Sequence, residues 1–197
     1  MMRHKRAVFG FFAPLLLLIV LLAAGGEPLR QLLRFDRPGL GNGELWRWLS
    51  GHVVHLSWSH TVLNAAGLLV IAALFVRDVA LREWYLALAL AAVSISLGLW
   101  FWSPSLDWYV GLSGVLHGLF VLGAWSEWRH GHRSGLYLLL GVAAKLAYEQ
   151  AAGALPMTAS AAGGPVVVDA HLYGALGGAL ACVLMRAVRG DTHRAER

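Results

Sequence analysis

Six apolar stretches, at roughly 7–25, 58–76, 83–102, 111–128, 135–152 and 170–188, divide this chain, and each approaches the about 20 residues a helix needs to cross a bilayer's hydrocarbon. Backbone groups in lipid have no water to bond, so stretches of this kind must be helical. Residues are 58% hydrophobic and only 14% charged, where soluble domains carry about 25% charge. The expected fold is therefore an all-α membrane protein, a bundle of six transmembrane helices forming one domain over residues 1–197, with short ends at about 1–6 and 189–197.

The basic residues orient this bundle. Eleven of the 16 Lys and Arg lie at the N-terminus, at 77–82, at 129–133 and from Arg186 onward, which six spans put on one face; Arg30, Arg34, Arg37 and Arg47 lie on the other. An excess of cations marks the cytoplasmic side, so both termini are expected there. The first stretch, between Arg3, Lys5, Arg6 and Ala23-Ala24-Gly25, also fits a cleavable leader; an uncleaved helix keeps the number of spans even and agrees with the charges. The net charge of +5 is explained by cations facing an anionic leaflet. No basic stretch is interleaved with stacking aromatics, so nucleic acid is not an expected partner. Cys182 is the single cysteine and permits no intrachain disulfide. Tryptophans such as Trp46, Trp58, Trp102 and Trp128 fall near span boundaries, where their amphipathic rings anchor.

Three polar clusters interrupt the apolar pattern. The first, His52 to Asn64, leads into the second span with His55, His60 and Asn64, the last two one helical turn apart. The second, Gly111-Leu-Ser113-Gly114-Val-Leu-His117-Gly118, opens the fourth span. Ser113 and His117 share a helix face there, and the glycines let a neighbouring backbone approach. The third, Asp169-Ala-His171-Leu-Tyr-Gly174-Ala-Leu-Gly177-Gly178, opens the sixth span, with His171, Gly174 and Gly178 along one stripe. Polar groups at membrane depth are costly and face the protein interior. Each cluster alone also fits interhelical hydrogen bonding for packing. Spans two, four and six run in the same direction, so His60, Ser113 and His171 can meet just below the outer surface.

A hydroxyl and an imidazole suffice for acyl transfer, the imidazole taking the serine proton and later protonating the leaving amine. The Ser113 amide, the His60 ring and the Asn64 side chain can supply donors for an anionic intermediate. His52, His55 and His60 lie within nine positions and raise a metal site, but no His-Glu-x-x-His motif and no nearby carboxylate accompany them. Neither metal nor cofactor is expected.

Together these residues resemble the rhomboid intramembrane serine proteases: Trp46-Arg47, His55, His60-x-x-x-Asn64, Gly111-x-Ser113-Gly114, and Ala170-His171-x-x-Gly174-x-x-x-Gly178, in that order. The resemblance covers roughly residues 44–188. It implies Ser113 as nucleophile, His171 as general base and acid, and His60 with Asn64 and Ser113 as oxyanion hole. Supporting places fall to His55, Gly111, Gly114, Gly174 and Gly178. Within that superfamily Leu116-His117-Gly118 is similar to rhombosortase, with His117 packing on the catalytic histidine. This likeness implies a bacterial inner-membrane enzyme whose site opens toward the periplasm. Its partners are membrane-anchored protein substrates ending in a Gly-Gly motif, an apolar helix and a basic tail.

Lys145 and Glu149 in the fifth span form a pair one turn apart, read either as a neutralised structural pair or as substrate recognition and gating. Asp169 either orients His171 or sits in interfacial water. The loop 153–168 reads as a flexible lid. The competing functions are a rhomboid of other specificity, a non-catalytic rhomboid-like protein that binds membrane helices, and a histidine-dependent metalloenzyme or transporter.

Overall fold

The computed structural model describes residues 6–195; Arg3, Lys5 and the last two residues lie outside that range. After a π-helical turn at Val8–Phe12 come α1 (Ala13–Ala24), α2 (Gly26–Leu33), α3 (Arg37–Gly41), α4 (Arg47–Ser50) and α5 (Trp58–Phe75). Then follow α6 (Leu81–Trp102), α7 (Ser113–Arg129), α8 (Arg133–Ala152), α9 (Thr158–Ala162) and α10 (Val168–Ala195). Every apolar stretch is helical. Among the described residues α5, α6 and Val168–Ala187 of α10 are each long and apolar enough to cross a membrane. Phe9–Ala24 with Gly26–Leu33 is a further candidate, broken by a bend of 116°, where Gly26 adopts a φ of +63° that an L side chain disfavours. At 17 residues, α7 is short of that length. In α8, Lys145, Glu149 and Gln150 dilute the apolar character.

The first loop is more ordered than its polar, glycine-rich sequence suggests. Arg47 is only 8% exposed; it donates to the Gln31 and Arg34 carbonyls at 2.8 and 2.9 Å and pairs with Glu44 at 2.5 Å. The Arg37 guanidinium reaches the carbonyls of Leu99, Trp100, Ser103 and Leu106 at 2.5 to 3.0 Å. The first three lie at the end of α6, whose last carbonyls have no helical partner, and a cation suits them; Leu106 follows in the loop. A two-stranded ladder, β1 (Phe35–Asp36) against β2 (Trp108–Tyr109), ties this loop to the segment before α7.

His52 completes the attachment. Ser96 donates to the Trp48 carbonyl, so it accepts from His52 Nε2–H at 3.0 Å, while the ring packs edge-on against Tyr109.

Helix α10 packs on α6 and α7, and α7 also contacts α5 and α8. Apolar faces gain little by leaving lipid for one another, so close packing must hold them. Glycine provides it here. A methyl group at Gly114 would stand 2.6 Å from the Ala170 carbonyl oxygen, and one at Gly118 2.6 Å from that of Gly174; at Gly174 and Gly178 it would overlap the Gly114 and Gly118 carbonyls. Gly177 lies equally close to α6, where a methyl would sit 2.5 Å from the Leu90 oxygen. Outward, Val62, Leu69, Leu140, Leu176 and Val183 are exposed, an apolar surface suited to lipid.

Two outcomes follow. Gly174→Ala should cost about 1–3 kcal/mol through overpacking, read as a lower unfolding midpoint in detergent, whereas Gly141→Ala, with nothing within 4 Å of the new methyl, should cost nothing. Burial pulls the His52 pKa down to about 4, and burial with the neighbouring His60 pulls His55 down to about 3. Both titrate near 6.5 when unfolded, so the unfolded chain binds more protons as pH falls from about 6.5 to about 3. Stability should drop across that window and not above it. Unfolding midpoints across the window should show this, and His52→Gln should flatten part of the drop.

Candidate active site

Ser113 is the first residue of α7 and His171 lies in the first turn of α10, so helix termini at one level present both side chains. Before Ser113 the chain turns sharply at Gly111, whose φ is +130°. Two bonds hold that turn: the Gly111 amide donates to the Gly51 carbonyl at 3.0 Å, and the Tyr109 hydroxyl to the Gly111 carbonyl at 2.6 Å. A methyl group at Gly111 would lie 2.9 Å from His60 Cε1. The bare backbone thus gives the imidazole room beside the start of α7.

His171 joins two partners. Its Nε2 lies 3.0 Å from Ser113 Oγ and its Nδ1 3.0 Å from Glu149 Oε2. Lys145 Nζ stands 2.7 Å from the same Glu149 oxygen. An ionised carboxylate only accepts, so Nδ1 carries the proton and Nε2 offers its lone pair to the Ser113 hydroxyl. That is the tautomer a general base requires. His171 and Glu149 are 5% and 2% exposed. Proton and charge are therefore held where water screens little.

His117 stacks on His171, ring centroids 4.3 Å apart and planes at 21°. Its own Nδ1–H donates to the Ser113 carbonyl at 2.7 Å. The face of the imidazole is thus covered by a second ring anchored to the backbone of Ser113. One ligand atom from each of His117, Glu149 and His171 lies within 4.8 Å of the others. The in-plane lone pairs of two stacked, nearly parallel rings do not converge on one ion, and Glu149 already serves Lys145 and His171. This arrangement suits proton transfer better than metal binding.

The residues expected to stabilise an anion lie across the same cavity of about 590 Å³, which Ser113, His171, His60 and Asn64 all line. The Leu56 amide donates to His60 Nδ1 at 3.3 Å, which puts the ring proton on Nε2. Asn64 donates one amide N–H to the His60 carbonyl at 3.0 Å and keeps the other. His55 packs edge-on against His60 at 5.0 Å and supports that ring without hydrogen bonding to it. Gly114, Gly174 and Gly178 serve the contact between α7 and α10.

At three places the structure adds to the sequence reading. Asp169 does not bond to His171; partly exposed at the start of α10, it accepts from Ser103 Oγ at 2.6 Å. Residues two apart on a helix do not share a face, so that separation was available from sequence. Glu149, read there as a packing or recognition residue, contacts His171. The signal was position along the chain, since Glu149 sits near the end of α8 and His171 near the start of α10, at the same end of the bundle. The loop 153–168 contains α9, and Ser57 Oγ donates to the Ala162 carbonyl at 2.9 Å.

A comparison with curated proteins finds no match. The Rhomboid domain family matches residues 42–188, a range that holds every residue of this site. The chain belongs to the rhomboid family, whose members are intramembrane serine proteases.

Proposed function

We propose that this protein is an intramembrane serine endopeptidase of the rhombosortase type, cleaving membrane-tethered exported proteins at a C-terminal Gly-Gly segment followed by an apolar helix and a basic tail. It works as a single domain over residues 1–197 in the bacterial inner membrane, six helices crossing with both termini cytoplasmic and the site open toward the periplasm. One observation carries the reading: Ser113 Oγ stands 3.0 Å from His171 Nε2 in a cavity that also holds His60 and Asn64.

The chemistry follows from these groups. A substrate segment enters the cavity with its scissile carbonyl carbon against Ser113 Oγ. His171 Nε2 takes the hydroxyl proton as the Oγ–carbon bond forms, and the carbonyl oxygen becomes an anion. Donors pre-aimed at that oxygen stabilise it without reorganisation: the His60 Nε2–H, the second Asn64 N–H and the Ser113 amide at the start of α7, where the helix also contributes partial positive charge. The imidazolium protonates the departing amine. Water then attacks the acyl-enzyme by the same route, releasing the shortened protein with a new carboxylate and restoring Ser113.

The narrower substrate reading rests on two features. Leu116-His117-Gly118 supplies a histidine to stack on His171, as in the rhombosortase pattern. Leu116, Phe120 and Val142 give the cavity apolar walls, fit for an apolar helix, and a glycine pair can reach Ser113 between them. Lys145 and Glu149 line the same cavity, and contact with the glycine segment belongs to this reading. A rhomboid of other specificity would differ in substrate alone. A non-catalytic helix binder would not need a serine and an imidazole in hydrogen-bonding contact.

Co-expression with a Gly-Gly-tailed membrane reporter tests this. Wild type should release the shortened product, Ser113→Ala should release none while still inserting, and a reporter with leucines in place of the glycines should remain intact. Equal cleavage of both reporters would leave a general rhomboid protease, and cleavage by Ser113→Ala would remove the protease reading. His60→Ala and Asn64→Ala should each lower the rate by about 10²-fold or more.

A further inference from the structure

Glu149 is buried to 2% exposure on α8, on a helix that supplies neither the serine nor the base. A lone carboxylate at that depth is costly, and its surroundings account for its charge. Lys145 Nζ and His171 Nδ1 meet one and the same oxygen, Oε2, at 2.7 and 3.0 Å. The Lys145 ammonium has no lone pair to accept a proton from that oxygen, so the oxygen is an ionised carboxylate's and accepts from Nδ1–H as well.

From this geometry we infer that Glu149 is a positioning residue of the reaction, the third member of a Ser113–His171–Glu149 relay whose carboxylate is pinned by Lys145. The inference rests on the protease reading and deepens it. Two effects come from the one oxygen. By accepting from Nδ1–H, Glu149 holds His171 in the tautomer whose Nε2 can take the serine proton and fixes the ring's rotation toward Ser113. When that proton arrives and the ring becomes an imidazolium, the carboxylate stands beside the new positive charge. No proton passes to Glu149.

The rest of the surroundings leaves this place to Glu149. From α7, His117 covers the ring face and spends its Nδ1–H on the Ser113 carbonyl. Asp169, the acidic neighbour of His171 in sequence, is committed to Ser103. From α5, His60 offers a neutral ring whose Nδ1 is occupied by the Leu56 amide. Lys145 holds the carboxylate from the other side, its buried Nζ 2.7 Å from Oε2, and stops it rotating away.

The test uses the full chain in membranes with the Gly-Gly reporter peptide, following kcat and KM separately. Glu149→Gln keeps shape and removes charge. In soluble triad enzymes the comparable change costs up to about 10⁴-fold in kcat, and here kcat should fall by at least about 10²-fold, far more than any change in KM. Because Glu149→Gln leaves the Lys145 ammonium uncompensated, Lys145→Met combined with Glu149→Gln removes both charges and serves where the single variant fails to fold. It too should insert and melt like wild type while kcat stays down by about 10²-fold. A folded variant of either kind with kcat within about threefold of wild type overturns the inference. Ser113→Ala run alongside separates the two claims: full activity in Glu149→Gln with a dead Ser113→Ala ends only the relay, whereas an active Ser113→Ala ends the protease reading itself.

Discussion

Backbone-to-backbone contact between α7 and α10 is the constraint on which the remainder depends. A hydrogen bond of 3.0 Å between Ser113 and His171 requires the axes of two helices to approach until carbonyl groups meet the facing glycines. Gly114, Gly118, Gly174 and Gly178 make that possible along one stripe. In lipid, apolar side chains give helices little reason to prefer each other, and the gain comes from dispersion between surfaces that fit. The stripe therefore sets the interhelical distance and the register that aligns the first turns of both helices. The same glycines that hold the bundle thus hold the Ser113 hydroxyl against the His171 ring.

A second layer of the design is polar and lies at the end of the bundle that carries Ser113 and His171. Arg37 caps the end of α6, Arg47 gathers the carbonyls of the first loop, and His52 bonds to Ser96. These contacts fix the segment that delivers Gly111 and Ser113. The buried charges at Lys145 and Glu149 would be unfavourable in an apolar bundle unless paired and bonded. Their pairing beside His171 gives the cost a chemical use under the proposed mechanism, in which the imidazole gains a proton and a compensating charge stands nearby.

Much of this was legible in the sequence. The helices followed from apolar runs, because lipid leaves the backbone no other choice. The meeting of Ser113 and His171 followed from spans running in one direction and from glycines on the facing stripes, both properties of single helices. What was not legible depends on the rotation of one element against another. Whether Glu149 faces Lys145 alone or also His171 is decided by how α8 turns toward α10, and residue spacing within α8 says nothing about that. Arg37 lies 62 to 69 positions from the carbonyls it binds, and His52 lies 44 from Ser96. Polar contacts across such separations leave no periodic trace, so a glycine-rich loop looked simpler than it is.

The central claim is that the Ser113 hydroxyl is activated by the His171 ring within the bilayer. Covalent capture tests it most directly. Wild-type protein in lipid nanodiscs is treated with a small fluorophosphonate, which reacts with activated serine hydroxyls, and the intact mass and modified residue are read by mass spectrometry. The account predicts a single adduct on Ser113 that disappears in His171→Ala while the protein remains folded. No adduct on folded wild type, or labelling of Ser113 that is undiminished without His171, would contradict it.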